Sequence, residues 1–313
     1  MPGSLNLIFA GSGEFGMPTV RALVNAGQRI VQVFTQPDRP AGRGKKLTPT
    51  PIAQLATELH LSVRRTGDIN AEPLPPADAM VVIAFGQKIA QPAVNHPRLG
   101  SINLHASRLP KYRGAAPINW AIINGEKTTG NSIIRLAEKM DAGAILAQSE
   151  LQIGETETTG DLHDRLALDG APLVLRVLDN LASGDASEQP QNHAAATLAP
   201  KLSRETATLD WTQPAQVVVR RINGLSPWPG CRVDLIDPQE QRIGRLCLFR
   251  ARAVAGSSSS QPGQVLESGC IAAGDSTAVE ILDVHPDGKR PMSLHDYRLG
   301  HRWVAGLRVE PAR

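Results

Sequence analysis

Asn103 and His105 stand two residues apart in SINLHASRLPKYRG, and Asp141 follows downstream in EKMDAG. In an extended segment alternate side chains share a face, so the amide of Asn103 and the imidazole of His105 point the same way while Ile102 and Leu104 point the other. An amide, an imidazole and a carboxylate brought together can serve an acyl-type transfer. Asn103 and His105 can donate to an oxyanion, and Asp141 can hold the imidazole or receive a proton. The same spacing also fits an exposed strand end whose Asn and His only meet water, and spacing alone leaves both readings open.

The elements that must position these residues alternate in type. LNLIFAG, RIVQVFT, AMVVIAFG and SINLHAS are short apolar strands, and PTVRALVNAG and PIAQLATELH between them have helical spacing. That alternation predicts a parallel sheet of the α/β class, whose strand carboxyl ends open into a ligand crevice. The turn from Ser107 through Pro110 to Gly114 leaves such a strand end. After Asp141 come AILAQSEL and then a capped long helix through TTGDLHDRLALDGAPLVLRVLDNLASG, ended by Gly184. Residues 185–208 are polar, carry Ala and Pro and lack a period, which predicts a linker. CRVDLID, RLCLFRARAV, GQVLESGCI and AVEILDV are β-rich runs separated by DPQEQ, AGSSSSQPG and HPDG, the pattern of a small barrel. The organisation expected is therefore residues 1–184 as a catalytic domain, 185–208 as a linker and 209–313 as a barrel domain.

Length and composition agree with two globular domains of roughly 100 to 200 residues each: 313 residues, 41% hydrophobic and 20% charged. No stretch reaches the roughly 18 apolar residues of a spanning helix, and the amino terminus lacks a basic cluster before its apolar run. A cytoplasmic protein without membrane attachment, and a monomer, is expected. Cys231, Cys247 and Cys270 are odd in number and lack CxxC spacing, so reduced thiols are expected rather than disulfides or a metal set. The histidines other than His105 show no metal-ligand spacing, and no metal is expected. Net charge is only +3 but segregated: residues 1–113 carry +7, residues 114–200 carry −7 and residues 201–313 carry +3. A basic first segment suits a partner with phosphates, although charge scattered on a solvated surface gives the same count.

Gly11, Gly13 and Gly16 spell GxGxxG after a strand and raise the alternative of an NAD(P)-dependent oxidoreductase. Glu14 at the place of a pyrophosphate, and Thr35 and Gln36 where a ribose-binding carboxylate should end the second strand, argue against it. An RNA-binding module without catalysis is a further alternative, but it gives no reason for Asn103, His105 and Asp141.

INLHASRLPKYRGAAP, FTQPDRPAGRGKK, MDAG, KLSRETATLDW and INGLSPWPG together resemble the methionyl-tRNA formyltransferase family, in family order and over essentially the whole chain. The resemblance implies a Rossmann-like formyltransferase fold followed by an OB-like barrel. It places Asn103, His105 and Asp141 on the family's catalytic Asn, His and Asp, and Ser107, Arg108, Leu109 and Pro110 on its folate-contacting SLLP turn. Arg108 departs from the family, which usually has Leu there. The implied donor is 10-formyltetrahydrofolate, and the implied acceptor is the α-amino group of methionyl-tRNA of the initiator type. Formyltransferases acting on amino sugars or a purine precursor, and folate hydrolases, share the fold, and the loop at residues 36–51 distinguishes them. Arg39, Arg43, Lys45 and Lys46 lie there among prolines and glycines, too polar to bury a face, so mobility without a partner is expected. In the family this segment enters the acceptor end of the tRNA.

Overall fold

A computed structural model of the chain describes residues 3–41, 44, 46–256 and 260–312. Arg43 and Lys45 lie outside the described residues. By internal contacts the chain forms two compact units, one of residues 1–114, 129–151 and 163–199 and the other of residues 115–128, 152–162 and 200–313.

The first unit is built on seven strands: β1 Asn6–Gly11, β2 Arg29–Thr35, β3 Val63–Arg65, β4 Ala79–Ile83, β5 Ser101–His105, β6 Ser132–Arg135 and β7 Ile145–Gln148. Their order in the sheet is β7-β6-β5-β4-β1-β2-β3. Pairs among β1 to β5 are parallel, whereas β6 runs antiparallel to both β5 and β7. The strand order reverses between β1 and β4, so an open crevice lies at their carboxyl ends, where such sheets hold ligands. The predicted alternation of strand and helix is what forms: α1 Met17–Asn25 and α2 Pro51–Glu58 each begin with a proline in the first turn, and Thr50 caps α2 by accepting from Ala53 N–H at 3.1 Å. Fully buried Leu7, Ile8, Phe9, Met80, Val81 and Ile83 explain why β1 and β4 read as continuous apolar runs, since helices cover both faces of a parallel sheet.

Gly11 of the GxGxxG pattern is required by packing. A Cβ there would lie 2.6 Å from the Phe9 ring and 2.8 Å from the Ile83 carbonyl oxygen. Across the end of β1, the Gln36 amide donates to the carbonyls of Phe85 and Gly86, both at 3.1 Å, and ties the loop after β2 to the loop after β4. On the back of β5, Gly170 of the long helix lets Leu104 approach so closely that a Cβ would sit 2.6 Å from Leu104 Cδ2. The helix, Thr159–Ser183, stops at Gly184 in a left-handed conformation of φ 83°, as its sequence predicts.

The second unit holds an antiparallel sheet of β8 Cys231–Ile236, β9 Arg242–Ala255, β10 Ile271–Ala272, β11 Thr277–Pro286 and β12 Arg308–Pro311, ordered β10-β11-β9-β8-β12. Isolated bridges Val265↔Ile271 and Gln264↔Arg308 carry pairing from β10 round to β12 and close the ring. Register shifts around Arg250 bend the 14-residue β9, as bulges do at barrel corners. Inside lie Val233, Leu246, Leu248, Ile281, Trp303 and Leu307, together with Trp211 and the buried face of a helix at Ala215–Gly224. This helix carries little helical signal in the sequence, because its run of three valines favours strand locally, and packing of Val218, Val219 and Ile222 overrides that preference. The three cysteines are free thiols; burial pushes Cys231 far up and Cys247 to about 11, so both are inert small hydrophobes at neutral pH.

Candidate active site

Asn103 and His105 emerge on one face of β5, and the intervening Leu104 faces the long helix. His105 is only 6% exposed. Its Nε2 lies 2.9 Å from the Tyr112 carbonyl oxygen, and a carbonyl only accepts, so Nε2 is the nitrogen that carries the proton. Nδ1 then faces Asp141 Oδ1 at 3.6 Å. The other carboxylate oxygen, Oδ2, accepts the backbone N–H of Gly114 at 2.8 Å. His105 Nδ1 and Asp141 Oδ1 thus face each other, each side chain held in orientation by a backbone group on its far side. The Asn103 side chain has no hydrogen-bond partner among the described residues, which leaves its amide N–H groups available to a bound oxygen.

The turn after β5 is internally tied. Ser107 is fully buried; its hydroxyl donates to the Lys111 carbonyl at 2.7 Å, and its own carbonyl accepts from the Ser132 hydroxyl at 2.6 Å. Leu109 N–H donates to Ser132 Oγ at 3.0 Å and the Leu109 carbonyl accepts from Gln148 at 2.9 Å. Ser107 and Leu109 therefore spend these polar groups on holding the turn, and the turn's outward surface belongs to exposed Arg108 and half-buried Pro110. Arg108, the departure from SLLP, forms an ion pair with exposed Glu150.

The loop at residues 36–51 contains a short antiparallel ladder between Arg39–Ala41 and Lys46–Thr48, with Arg39 opposite Thr48 and Ala41 opposite Lys46. The Arg39 guanidinium donates to Gln36 Oε1, and Asp38 pairs with Arg65 at 2.7 Å, so the base of the hairpin is anchored to the ends of β2 and β3. Lys46 and Leu47 are exposed on it. Backbone pairing between short strands, which needs no apolar face, is what the composition argument left out.

Residues that sequence reasoning missed surround Asp141. Gln191 donates from Nε2 to the carbonyls of Asp141 and Gly143, each at 2.8 Å, and accepts from Arg113 at 2.6 Å. Thr197 accepts the Tyr112 N–H at 2.9 Å. No signal in the sequence marks these residues, because the segment has no period and its partners are backbone groups.

Comparison with known proteins identifies the family. Residues 5–178 match the formyl transferase family and residues 201–302 match the formyl transferase C-terminal domain. Methionyl-tRNA formyltransferases of Moorella thermoacetica and Halorhodospira halophila are each 39% identical to it, over 96% and 97% of this chain and 98% and 99% of their own. The chain belongs to the methionyl-tRNA formyltransferase family. That of Methylococcus capsulatus is 37% identical over 97% of this chain and 99% of its own. Among solved structures, HypX from Aquifex aeolicus in complex with tetrahydrofolic acid shares the fold with a TM-score of 0.63 at 18% identity, covering 95% of this chain and 47% of that one. WlaRD, a sugar 3N-formyl transferase in the presence of dTDP and 5-N-formyl-THF, does so with a TM-score of 0.63 at 15% identity, covering 92% and 99%. As a formyltransferase of this family the chain pairs a Rossmann-like sheet with a barrel-like C-terminal sheet. Among the described residues no helix is long and apolar enough to cross a membrane.

Proposed function

We propose that this enzyme transfers the formyl group of 10-formyltetrahydrofolate to the α-amino group of initiator methionyl-tRNA, with Asn103, His105 and Asp141 around the reacting atoms. The observation that carries the catalytic part is the His105–Asp141 approach of 3.6 Å beside Asn103 on the same strand face. An α-amine has a pKa of about 7.7 to 8 and ester attachment lowers it, so much of it is nucleophilic at neutral pH. The amine attacks the formyl carbon and gives up one proton, and the carbonyl electrons move onto oxygen. The tetrahedral oxyanion collapses as the C–N bond to folate breaks and the departing folate nitrogen takes up a proton, so that one proton is lost by the amine and one is gained by the leaving group.

The protein must align the two reactants, stabilise the oxyanion and remove one proton from the amine. Asn103 supplies the N–H donor to the oxyanion. His105 Nε2 already donates to Tyr112, which supports a role for the ring in proton handling through Nδ1 together with Asp141 rather than as a second oxyanion donor. The folate donor lies against the turn of Ser107, Arg108, Leu109 and Pro110, where Arg108 and Pro110 offer the outward contacts. Arg39, Arg43, Lys45 and Lys46 meet tRNA phosphates. A catalytic domain of residues 1–184, a linker of 185–208 and a barrel domain of 209–313, monomeric and cytoplasmic, complete this reading.

The test is direct: the purified protein is mixed with 10-formyltetrahydrofolate and, separately, with methionyl-tRNA, a dTDP-linked amino sugar, or buffer alone. Formyl-methionyl-tRNA as the sole formylated product is expected; formylation of the amino sugar, or release of formate alone, overturns the proposal. The tRNA contact has its own signature. Each displaced counterion contributes roughly 0.9 to the log-log salt slope on duplex and about 0.7 on single strands. Replacing Lys45 and Lys46 together by Ala is expected to weaken tRNA affinity and flatten that slope by up to about two units, with folate binding unchanged. Parallel slopes and an unchanged KM for tRNA would point to a small-molecule acceptor instead.

A further inference from the structure

We propose that Gln191 is a positioning residue of the reaction, holding Asp141 in the backbone conformation from which its carboxylate meets His105. Asp141 has φ 52°, in the left-handed region, which Asp tolerates better than most residues but which still costs energy, so holding it there at a reacting centre calls for restraint by neighbouring groups. Gln191 supplies that restraint: both donors of its amide are used, one on the Asp141 carbonyl and one on the Gly143 carbonyl, at 2.8 Å each. The amide cannot be turned over. Its oxygen faces the Arg113 guanidinium, which only donates, at 2.6 and 3.2 Å, and its nitrogen faces two carbonyls, which only accept. Gln191 and Arg113 are 6% and 5% exposed, so neither can exchange these bonds for water without cost.

The same stretch of chain also holds the other half of the pair. Gln189 and Ile145 exchange two backbone hydrogen bonds of 2.8 Å, which docks the segment on the edge of β7. Thr197 accepts the Tyr112 N–H through its hydroxyl and the Arg113 N–H through its carbonyl, both at 2.9 Å. Tyr112 in turn accepts from His105 Nε2, and Gly114 donates to Asp141 Oδ2. Residues 189–199 thus fix both members of the pair through backbone groups of residues 112–114 and 141–143. Among the described residues of this frame, Gln191 is the side chain that bonds the backbone of Asp141 itself.

This role rests on the catalytic part proposed for Asp141, and the experiment separates the two. Steady-state constants for both substrates and thermal midpoints are measured for Gln191→Met and Gln191→Glu, each alone and combined with Asp141→Asn. Methionine keeps length without polar groups; glutamate keeps an acceptor for Arg113 but presents oxygen to the two carbonyls, so it anchors the segment where the methionine variant does not fold. A displacement of about 1 Å at a catalytic group costs up to roughly 10²-fold, so kcat is expected to fall by about 10- to 100-fold with both KM values within about twofold. In the Asp141→Asn background the same substitutions are expected to cost under about twofold, because their effect passes through Asp141. Losses that multiply in the double variants, or that appear in KM, overturn the positioning role and leave a structural one. If Asp141→Asn alone keeps wild-type turnover, the catalytic reading of the site fails; if it is inactive while both Gln191 variants turn over normally, the Gln191 inference alone fails.

Discussion

Asn103→Ala is expected to lower kcat by about 10² to 10³, the usual cost of one oxyanion donor, equivalent to roughly 2.7 to 4 kcal/mol of transition-state stabilisation. KM for both substrates should stay near wild type. The bond to an uncharged formyl oxygen is modest, and it strengthens only as negative charge develops there. Asn103 is suited to this use because its amide makes no hydrogen bond to another described residue, whereas His105 Nε2 already donates to Tyr112. Removing Asn103 therefore strips the donor without breaking a structural bond, and the thermal midpoint should move little. His105→Ala is expected to reduce kcat by a comparable factor, but it also empties a buried site and removes the Nε2 bond to the Tyr112 carbonyl, so it should cost stability as well. Single-turnover formylation with both substrates saturating measures the chemical step. Near wild-type turnover in a folded Asn103→Ala protein would remove this residue from the oxyanion.

The legibility of this site in the sequence followed the range of the forces involved. Strand alternation at residues 101–105 is a local property, and it placed Asn103 and His105 on one face and Leu104 on the other, where Gly170 of the long helix receives it. The α/β alternation and the stop at Gly184 were legible for the same reason. Asp141 carries no such local signature; it was found through its resemblance to a family motif, and only the fold brings its carboxylate to His105. The segment at 185–208 shows the opposite limit. Lacking apolar period, it reads as a linker, and that role is compatible with the docking of residues 189–199 on the backbones of Ile145, Tyr112 and Arg113, which leaves no trace in side-chain pattern. The hairpin at Arg39–Ala41 and Lys46–Thr48 was hidden likewise, since its ladder joins polar residues. Fold class is set by apolar burial, which sequence pattern records; the frame around Asp141 is set by hydrogen bonds to carbonyls, which it does not.

Asp141→Asn is expected to reduce kcat by about 10² to 10⁴, the range of a lost general base, with the Kd for formyl-folate changed by less than about twofold. The geometry makes this substitution unusually clean. Asp141 Oδ2 accepts from Gly114 N–H at 2.8 Å, and an asparagine oxygen can take that place, so the loop retains its anchor. The new NH₂ must then occupy the position of Oδ1, facing His105 Nδ1 at about the same 3.6 Å. There it can donate to an unprotonated Nδ1 but opposes a protonated one. Proton uptake by the pair is disfavoured on both members at once: the carboxylate is gone, and the imidazole meets a donor instead of an acceptor. Because His105 Nε2 is committed to Tyr112, the ring has no second open nitrogen through which to compensate. Folate affinity is expected to hold, because in the proposed reading folate lies against the turn at 107–110, whose bonds to Ser132 and Gln148 do not involve Asp141. Equilibrium folate binding and single-turnover formylation on the same variant separate the two effects. A loss of folate affinity matching the loss of rate would make Asp141 a ligand-positioning residue rather than a partner in proton removal.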